Sequence, residues 1–332
     1  MGETLRCGLF GAGMMGKNHA RVIRETPGVD FSVLVDPDGD PQNLAQGSPV
    51  VATVSDALRL GIDCAIVAVP TRLHEEVATT LADHGIPCLI EKPLAHNSEA
   101  GKRIAQAFES SGTLAAVGHI ERFNPAVVEL RKKLSTGELG EVFQIATRRQ
   151  SSYPQRISDV GVALDLASHD VDLTMFISSS TYDYVSAVTT HRSGRHTEDM
   201  IISHGQLESG VIVSHVVNWL SPLKERFTVV SGELGILVAD TLTSDLTLHR
   251  NGEFNIEWDS LSSFRGISEG DVTRYAFSKK EPLRAQLEAF IESVRTGDET
   301  HIASIQQGLS VLQVIEAMLQ SSTRRSGVRV KN

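Results

Sequence analysis

Leu5-Arg6-Cys7-Gly8-Leu9-Phe10-Gly11-Ala12-Gly13-Met14-Met15-Gly16 is the stretch that decides the fold. The apolar run Cys7–Phe10 reads as a strand and passes directly into Gly-x-Gly-x-x-Gly, after which the residues suit a helix. In a strand–turn–helix unit each glycine has its own role. Gly11 allows the tight turn, Gly13 lets the backbone approach a pyrophosphate, and Gly16 lets helix and strand pack closely. Twenty residues beyond Gly16, at the end of the next apolar run, stands Asp36. A carboxylate there accepts hydrogen bonds from both ribose hydroxyls of NAD and repels the 2′-phosphate of NADP. Gly11–Lys17 also spells GxxxxGK, the opening of an NTPase phosphate loop. Asn18 follows where that loop needs a Ser or Thr hydroxyl for magnesium, which decides for the dinucleotide.

Outward from this motif, short apolar runs recur at Phe31–Val35, Val50–Val54, Cys64–Val69, Pro87–Ile90 and Leu114–Val117. Helical stretches lie between them, such as His74–His84 closed by Gly85 and Ser98–Ser111 closed by Gly112. Continuous apolar strands alternating with helices predict a doubly wound parallel sheet, an α/β domain over residues 1–122. The pattern then changes. A helix over Asn124–Leu134, a strand over Val142–Arg149, a polar loop with Pro154 and a helix over Gly161–Ile177 lead into consecutive strands from Tyr182 to Trp258. Asn251-Gly252 predicts a two-residue hairpin between Leu246–His249 and Phe254–Trp258. Helices over Leu283–Arg295 and Ile302–Ser321 complete a second domain, residues 123–332.

Composition narrows the function classes. The 332 residues carry 31 basic and 41 acidic side chains, a net charge of −10, which argues against a nucleic-acid partner. Cys7, Cys64 and Cys88 each sit in an apolar run with no CxxC spacing, and read as buried free thiols. The start of the chain lacks the apolar core of a signal peptide, and no apolar run approaches the roughly 20 residues of a membrane span. The expectation is a cytoplasmic protein with no membrane partner.

Two further clusters carry chemistry. Glu91-Lys92-Pro93 stands at the carboxyl end of the fifth strand, where ligands of open α/β sheets bind. A lysine there can hydrogen-bond a hydroxyl or carbonyl and stabilise the oxyanion as hydride moves; the alternative is a surface salt-bridge lysine. Asp165 and His169 are four apart and share a helix face, an arrangement that orients an imidazole as a general base. The alternatives are a buried structural histidine, or a metal site on His169, Asp170 and Asp172, which no second ligand cluster supports. Arg148, Arg149 and Arg156 cluster without an acid over Thr147–Ile157, a pattern suited to phosphate oxygens or to a strand edge paired with distant carboxylates.

In this order, the glycine motif, Asp36, Pro70-Thr71-Arg72-Leu73-His74, Glu91-Lys92-Pro93 and the Asp165…His169 helix resemble the glucose–fructose oxidoreductase/inositol dehydrogenase (Gfo/Idh/MocA) family over nearly the whole chain. The resemblance implies a Rossmann domain and a C-terminal α/β domain with an open, mainly antiparallel sheet that mediates homodimers or homotetramers. It implies Lys92 as catalytic lysine, with a cis bond to Pro93, His169 as acid/base and Asp165 as its partner. NAD would be held by Gly11, Gly13, Met14, Met15, Gly16, Asp36, Pro70, Thr71, His74, Glu91 and Lys92. A substrate would be held by Arg72, His119, Arg122, Asn124, Arg149, Asp165 and His169; no metal is implied. Gly118–Pro125 and Asp159–Val162 are similar to a subgroup acting on nucleotide-linked amino sugars, such as UDP-N-acetylglucosamine 3-dehydrogenases. Many relatives instead have Gly-Gly before the aspartate segment. An inositol or free-sugar dehydrogenase, an NAD-dependent glycosidase, an NADP-bound enzyme and a non-catalytic sensor are the rival readings.

Overall fold

The computed structural model describes residues 4–154, 160–252 and 268–330. The chain forms two compact units: Met1–Ile120 with Glu281–Glu316, and Glu121–Lys280 with Ala317–Lys331. This corrects the contiguous division at residues 122/123. The helix Pro282–Thr296 returns to the first unit because its apolar face, Leu283, Leu287, Phe290 and Ile291, joins the core that holds Leu9, Ile23 and Phe31. Sequence order carries no sign of that return.

The first unit contains six strands, β1 (Leu5–Phe10), β2 (Val29–Val35), β3 (Val50–Val51), β4 (Cys64–Val67), β5 (Cys88–Glu91) and β6 (Ala115–Gly118). They are ordered β3-β2-β1-β4-β5-β6 and every pairing is parallel. Helices α1 (Met14–Glu25), α2 (Val54–Leu60), α3 (His74–Asp83) and α4 (Ser98–Ser111) make the crossovers. The short apolar runs become strands because a sheet covered by helices buries both faces; Cys64–Val67 and Cys88–Glu91 are buried throughout. β1 lies between β2 and β4, so the winding direction changes there and a crevice opens beyond the carboxyl ends of the strands. Cys7, Cys64 and Cys88 are free and buried on three neighbouring strands, as their apolar setting predicts.

Among the described residues of the second unit, α5 (Pro125–Ser135) and α6 (Ser168–Ser178) accompany nine strands. These are β7 (Val142–Ser152), β8 (Tyr182–Thr190), β9 (Met200–Leu207), β10 (Ile212–Asn218), β11 (Leu220–Gly232), β12 (Gly235–Asp240), β13 (Asp245–Gly252), β14 (Ser268–Arg274) and β15 (Val328–Arg329). Their order is β14-β13-β12-β11-β7-β10-β9-β8-β15, and only β7–β10 is parallel. Strict in–out alternation along β9 marks a sheet covered on one face. The α/β class with a mainly antiparallel second sheet is therefore as expected.

The Asn251-Gly252 hairpin is not. Both residues continue β13, opposite Glu269 and Ser268 of β14, while Phe254–Trp258 lies outside the described residues. Asn251 is held in the ladder by its own bonds: its main-chain N–H donates to Leu234 O, and its Nδ2 donates to Glu233 O. No helix of the described residues is long and apolar enough to cross a membrane.

Candidate active site

The glycine loop runs from β1 into α1. Gly11 adopts φ +101°, and a Cβ on it would stand 2.5 Å from Ala68 O; a Cβ on Gly16 would stand 2.0 Å from Gly11 O. Both positions therefore exclude any side chain. Gly13 differs, with no atom within 4 Å of where a Cβ would stand. That open space is where a pyrophosphate would approach. No side chain caps α1 and its first turn has no acid, so the amides of Met14, Met15 and Gly16 lack intrahelical partners and face an electropositive helix end. Asp36 closes the loop: its Oδ2 accepts the Ala12 N–H at 2.7 Å and its Oδ1 accepts the Asp38 N–H at 2.9 Å. Each oxygen keeps a lone pair for a ribose hydroxyl. These residues fit a dinucleotide.

Beyond β4, Pro70 and Arg72 are exposed and Thr71 is partly covered at the start of a 3₁₀ turn. His74 is turned inward, which corrects its assignment to the cofactor. Its Nδ1 lies 3.0 Å from Pro93 O and its Nε2 lies 3.0 Å from Val69 O, so it straps this strand exit to the loop after β5. Burial outweighs these carbonyl contacts and holds its basicity below the ordinary imidazole value.

Glu91, also expected at the cofactor, is buried and faces inward: Oε1 lies 2.7 Å from His19 Nε2 and Oε2 accepts the Lys92 N–H at 3.2 Å. Burial pushes this carboxyl up, but the His19 hydrogen bond, with the charges of His19, Lys92 and His74, outweighs burial and leaves it below the ordinary range. Lys92 is partly buried at the strand end, and its bond to Pro93 is cis, as the resemblance implies.

In the second unit Asp165 lies buried in a π-helical turn, Ala163–Ala167, which replaces the α-helical start expected there. Single π turns recur at functional sites. Glu198 explains its place: Glu198 Oε1 accepts the Ala163 N–H at 3.0 Å, and it occupies the space a side chain at Gly161 would need. Half-buried His169 follows in the first turn of α6.

The next residues of α6 are scaffold. Asp170 accepts from Arg149 Nε at 3.2 Å, and Arg149 Nη1 donates to Glu121 Oε1 at 3.0 Å, where Arg226 Nη1 also points at 3.4 Å. Arg149 is 2% exposed, so it is no open phosphate ligand, which corrects that expectation. Burial disfavours its charge, but Asp170 and Glu121 outweigh that and hold it protonated. For Glu121 too, burial is outweighed, here by Arg149 and Arg226, and its carboxyl lies below the ordinary range. Asp170 has only a share of Arg149, so burial wins and raises it to about 6.

Arg122 is likewise spent, its Nε and Nη2 gripping Asp172 with a shortest distance of 2.6 Å. Asn124 caps α5 by accepting the Ala126 N–H and donates to Thr241 O. Both leave the substrate set. With Asp170 and Asp172 held by guanidinium groups, the metal alternative loses its ligands. His119 is buried at the end of β6; Arg148 is exposed, 3.7 Å from Glu225; Arg156 lies outside the described residues. Sequence reading missed His19, Glu121 and Arg226. His19 had one legible signal, its place three residues after Gly16, on the face of α1 toward the sheet.

A family model described as an oxidoreductase family with an NAD-binding Rossmann fold (Gfo/Idh/MocA) matches residues 5–119, and its C-terminal alpha/beta domain matches residues 131–330. The chain belongs to this family. It is an NAD-dependent oxidoreductase, and the glycine loop lies within the segment matched to the NAD-binding Rossmann fold. Inositol 2-dehydrogenase of Corynebacterium glutamicum (strain R) is 29% identical over 66% of this chain and 68% of its own length. UDP-N-acetylglucosamine 3-dehydrogenase of Acidithiobacillus ferrooxidans is 24% identical over 95% of this Gfo/Idh/MocA chain and 96% of its own. Its crystal structure superposes with a TM-score of 0.79 at 21% identity, covering 96% and 97% of the two chains.

Proposed function

We propose that this enzyme oxidises a ring hydroxyl of a sugar or cyclitol to the ketone with NAD. The observation that carries the proposal is the glycine loop latched by Asp36, on the same sheet that presents Lys92 at the end of β5. Bound NAD supplies the hydride acceptor. Lys92 hydrogen-bonds the reacting oxygen and stabilises the negative charge that develops on it. His169, oriented by Asp165, takes the hydroxyl proton.

A free cyclitol or sugar is the substrate class that agrees with the spent arginines: Arg149 and Arg122 are committed to buried carboxylates and leave no diphosphate clamp at those positions. A nucleotide-linked amino sugar, oxidised at C3 as in UDP-N-acetylglucosamine 3-dehydrogenases, is the second reading. It is favoured by full-length similarity to such an enzyme, with exposed Arg148 as a phosphate ligand that the described residues of the second unit still offer. A panel of cyclitols, free sugars and UDP-sugars, run as substrates and as competitors, separates the two. Turnover of a free polyol, with UDP-sugars inert even as inhibitors, supports the first reading; the reverse pattern replaces it with the second.

The enzyme assembles as a homodimer or homotetramer through the outer face of the nine-stranded sheet. Val188 and Ile202, opposite each other on β8 and β9, are 72% and 49% exposed there, and Ile212 on β10 is exposed on the same face. Val188→Lys should dissociate the assembly in sedimentation; an unchanged profile would place the interface elsewhere. Its location is cytoplasmic, a compartment in which the three buried thiols stay reduced.

A further inference from the structure

His19 is fully buried on α1, with Nε2 2.7 Å from Glu91 Oε1. The other Glu91 oxygen bonds to the main-chain N–H of the very next residue, Lys92. The carboxylate has room because its neighbour across β6 is Gly118, where a Cβ would stand 3.0 Å from Glu91 Oε2 and 3.1 Å from Cδ. His19 Nδ1 has no hydrogen-bond partner among the described residues. A buried ionised carboxylate is a poor way to add stability, since apolar packing of equal volume does as well or better. What the pair adds is a fixed geometry between two elements. One is α1, whose N-terminus receives the pyrophosphate; the other is the peptide that carries Lys92.

We propose that His19 and Glu91 are positioning residues that tie the Lys92 main chain to the dinucleotide-binding helix, so that the lysine amine is held in register with the bound cofactor. The inference rests on the reading above that Lys92 acts on the reacting oxygen. With Oε1 held from α1, rotation of the carboxylate is blocked and Oε2 pins the Lys92 amide. Loosening either contact frees the Glu91–Lys92 peptide without touching the phosphate loop. The pair therefore sets turnover and leaves cofactor affinity alone.

Two apolar variants, His19→Phe and Glu91→Leu, break the link, and Glu91→Gln retains it. The carboxamide can accept the Lys92 N–H while its NH₂ group donates to His19 Nε2 in the other tautomer, because Nδ1 has no competing partner. Hydrogen exchange of the peptide containing Lys92, NAD affinity by calorimetry, and kcat on the best compound of the panel are measured on the full-length enzyme. His19→Phe and Glu91→Leu should each speed exchange at the Lys92 amide and lower kcat about tenfold or more, with NAD affinity within about threefold. The double variant should lose no more than the worse single one, and Glu91→Gln should recover most of both signals.

Unchanged exchange at Lys92 in the breaking variants, equal losses in kcat and NAD affinity, or fully additive losses would each overturn the proposal. If His19→Phe does not fold, Glu91→Leu against Glu91→Gln carries the same contrast. Near-native turnover of Lys92→Ala would sink the underlying role of the lysine. The exchange result would still report whether the His19–Glu91 link holds the peptide.

Discussion

In the six-stranded sheet the buried strand positions are apolar apart from Glu91 at the end of β5, with Leu9, Ile66 and Leu89 at its centre, and Asp36 and Lys92 stand just past the ends of β2 and β5. In the nine-stranded sheet the interior sets polar and charged side chains among apolar ones such as Ile145, Val213 and Val230. Arg149 and Thr147 sit buried on β7, His215 on β10 bridges Thr147 and Tyr182 at 2.8 and 2.7 Å, and α6 brings Asp170 and Asp172 against Arg149 and Arg122. Where a core is apolar, a charged group at a strand end faces the crevice or a neighbour, so its position alone carries information. Where a core holds its own ion pairs, an arginine or aspartate beside the site is as easily scaffold as ligand.

Breaking a scaffold pair should have the largest effect. Arg149→Ala leaves Asp170 and Glu121 buried beside each other and should cost about 3–5 kcal/mol in unfolding free energy, read by urea titration. Unaltered stability, with a Michaelis constant for a UDP-sugar raised about tenfold, would return Arg149 to the substrate site and erase the contrast.

Lys92→Ala should do the opposite. It removes about 3 kcal/mol of transition-state stabilisation, lowering kcat by two orders of magnitude or more, while stability and NAD affinity stay near native. A loss of stability in place of turnover would make Lys92 scaffold as well.

The buried cluster also has a pH signature. Folding raises the Asp170 carboxyl from 3.8 to about 6, because burial there exceeds its share of Arg149. A carboxyl raised by folding contributes stability below pH about 4 that is lost as pH climbs through 6. The wild type should lose about 3 kcal/mol relative to Asp170→Asn across that window. Parallel stability curves for the two proteins would show that Asp170 does not titrate there.

The smallest effect belongs to the loop. Asp36→Ser should narrow the preference for NAD over NADP by about tenfold, about 1.4 kcal/mol, measured as the ratio of kcat/KM values. An unchanged ratio would leave Asp36 as a latch for Ala12 and Asp38 alone.

The same contrast explains what could be read from sequence. The glycine loop, Asp36 and the Lys92 strand end were legible because each needs a special residue at a fixed distance from an apolar run. Arg122 and Arg149 were misread because their carboxylate partners are distant in the chain: Asp172 is 50 residues from Arg122, and Glu121 is 28 residues from Arg149. His74 was misread because the carbonyls of Pro93 and Leu94 that hold it lie 19 and 20 residues away. The hairpin at Asn251 failed because its side chain donates to Glu233 O, 18 residues away in the chain. The return of Pro282–Thr296 to the first unit depends on the complementarity of two apolar faces, which no single window of sequence displays.

The most direct test of the central claim is the stoichiometry of NADH against product with the best compound of the cyclitol and sugar panel. Net NADH should accumulate in equal amount with a keto sugar or keto cyclitol over many turnovers, and Lys92→Ala should abolish both together. Release of a free sugar from a glycoside with no net NADH would contradict the account and make the enzyme a glycosidase that uses oxidation only in passing. No turnover of any compound, with NAD and sugar still binding, would leave it a sensor.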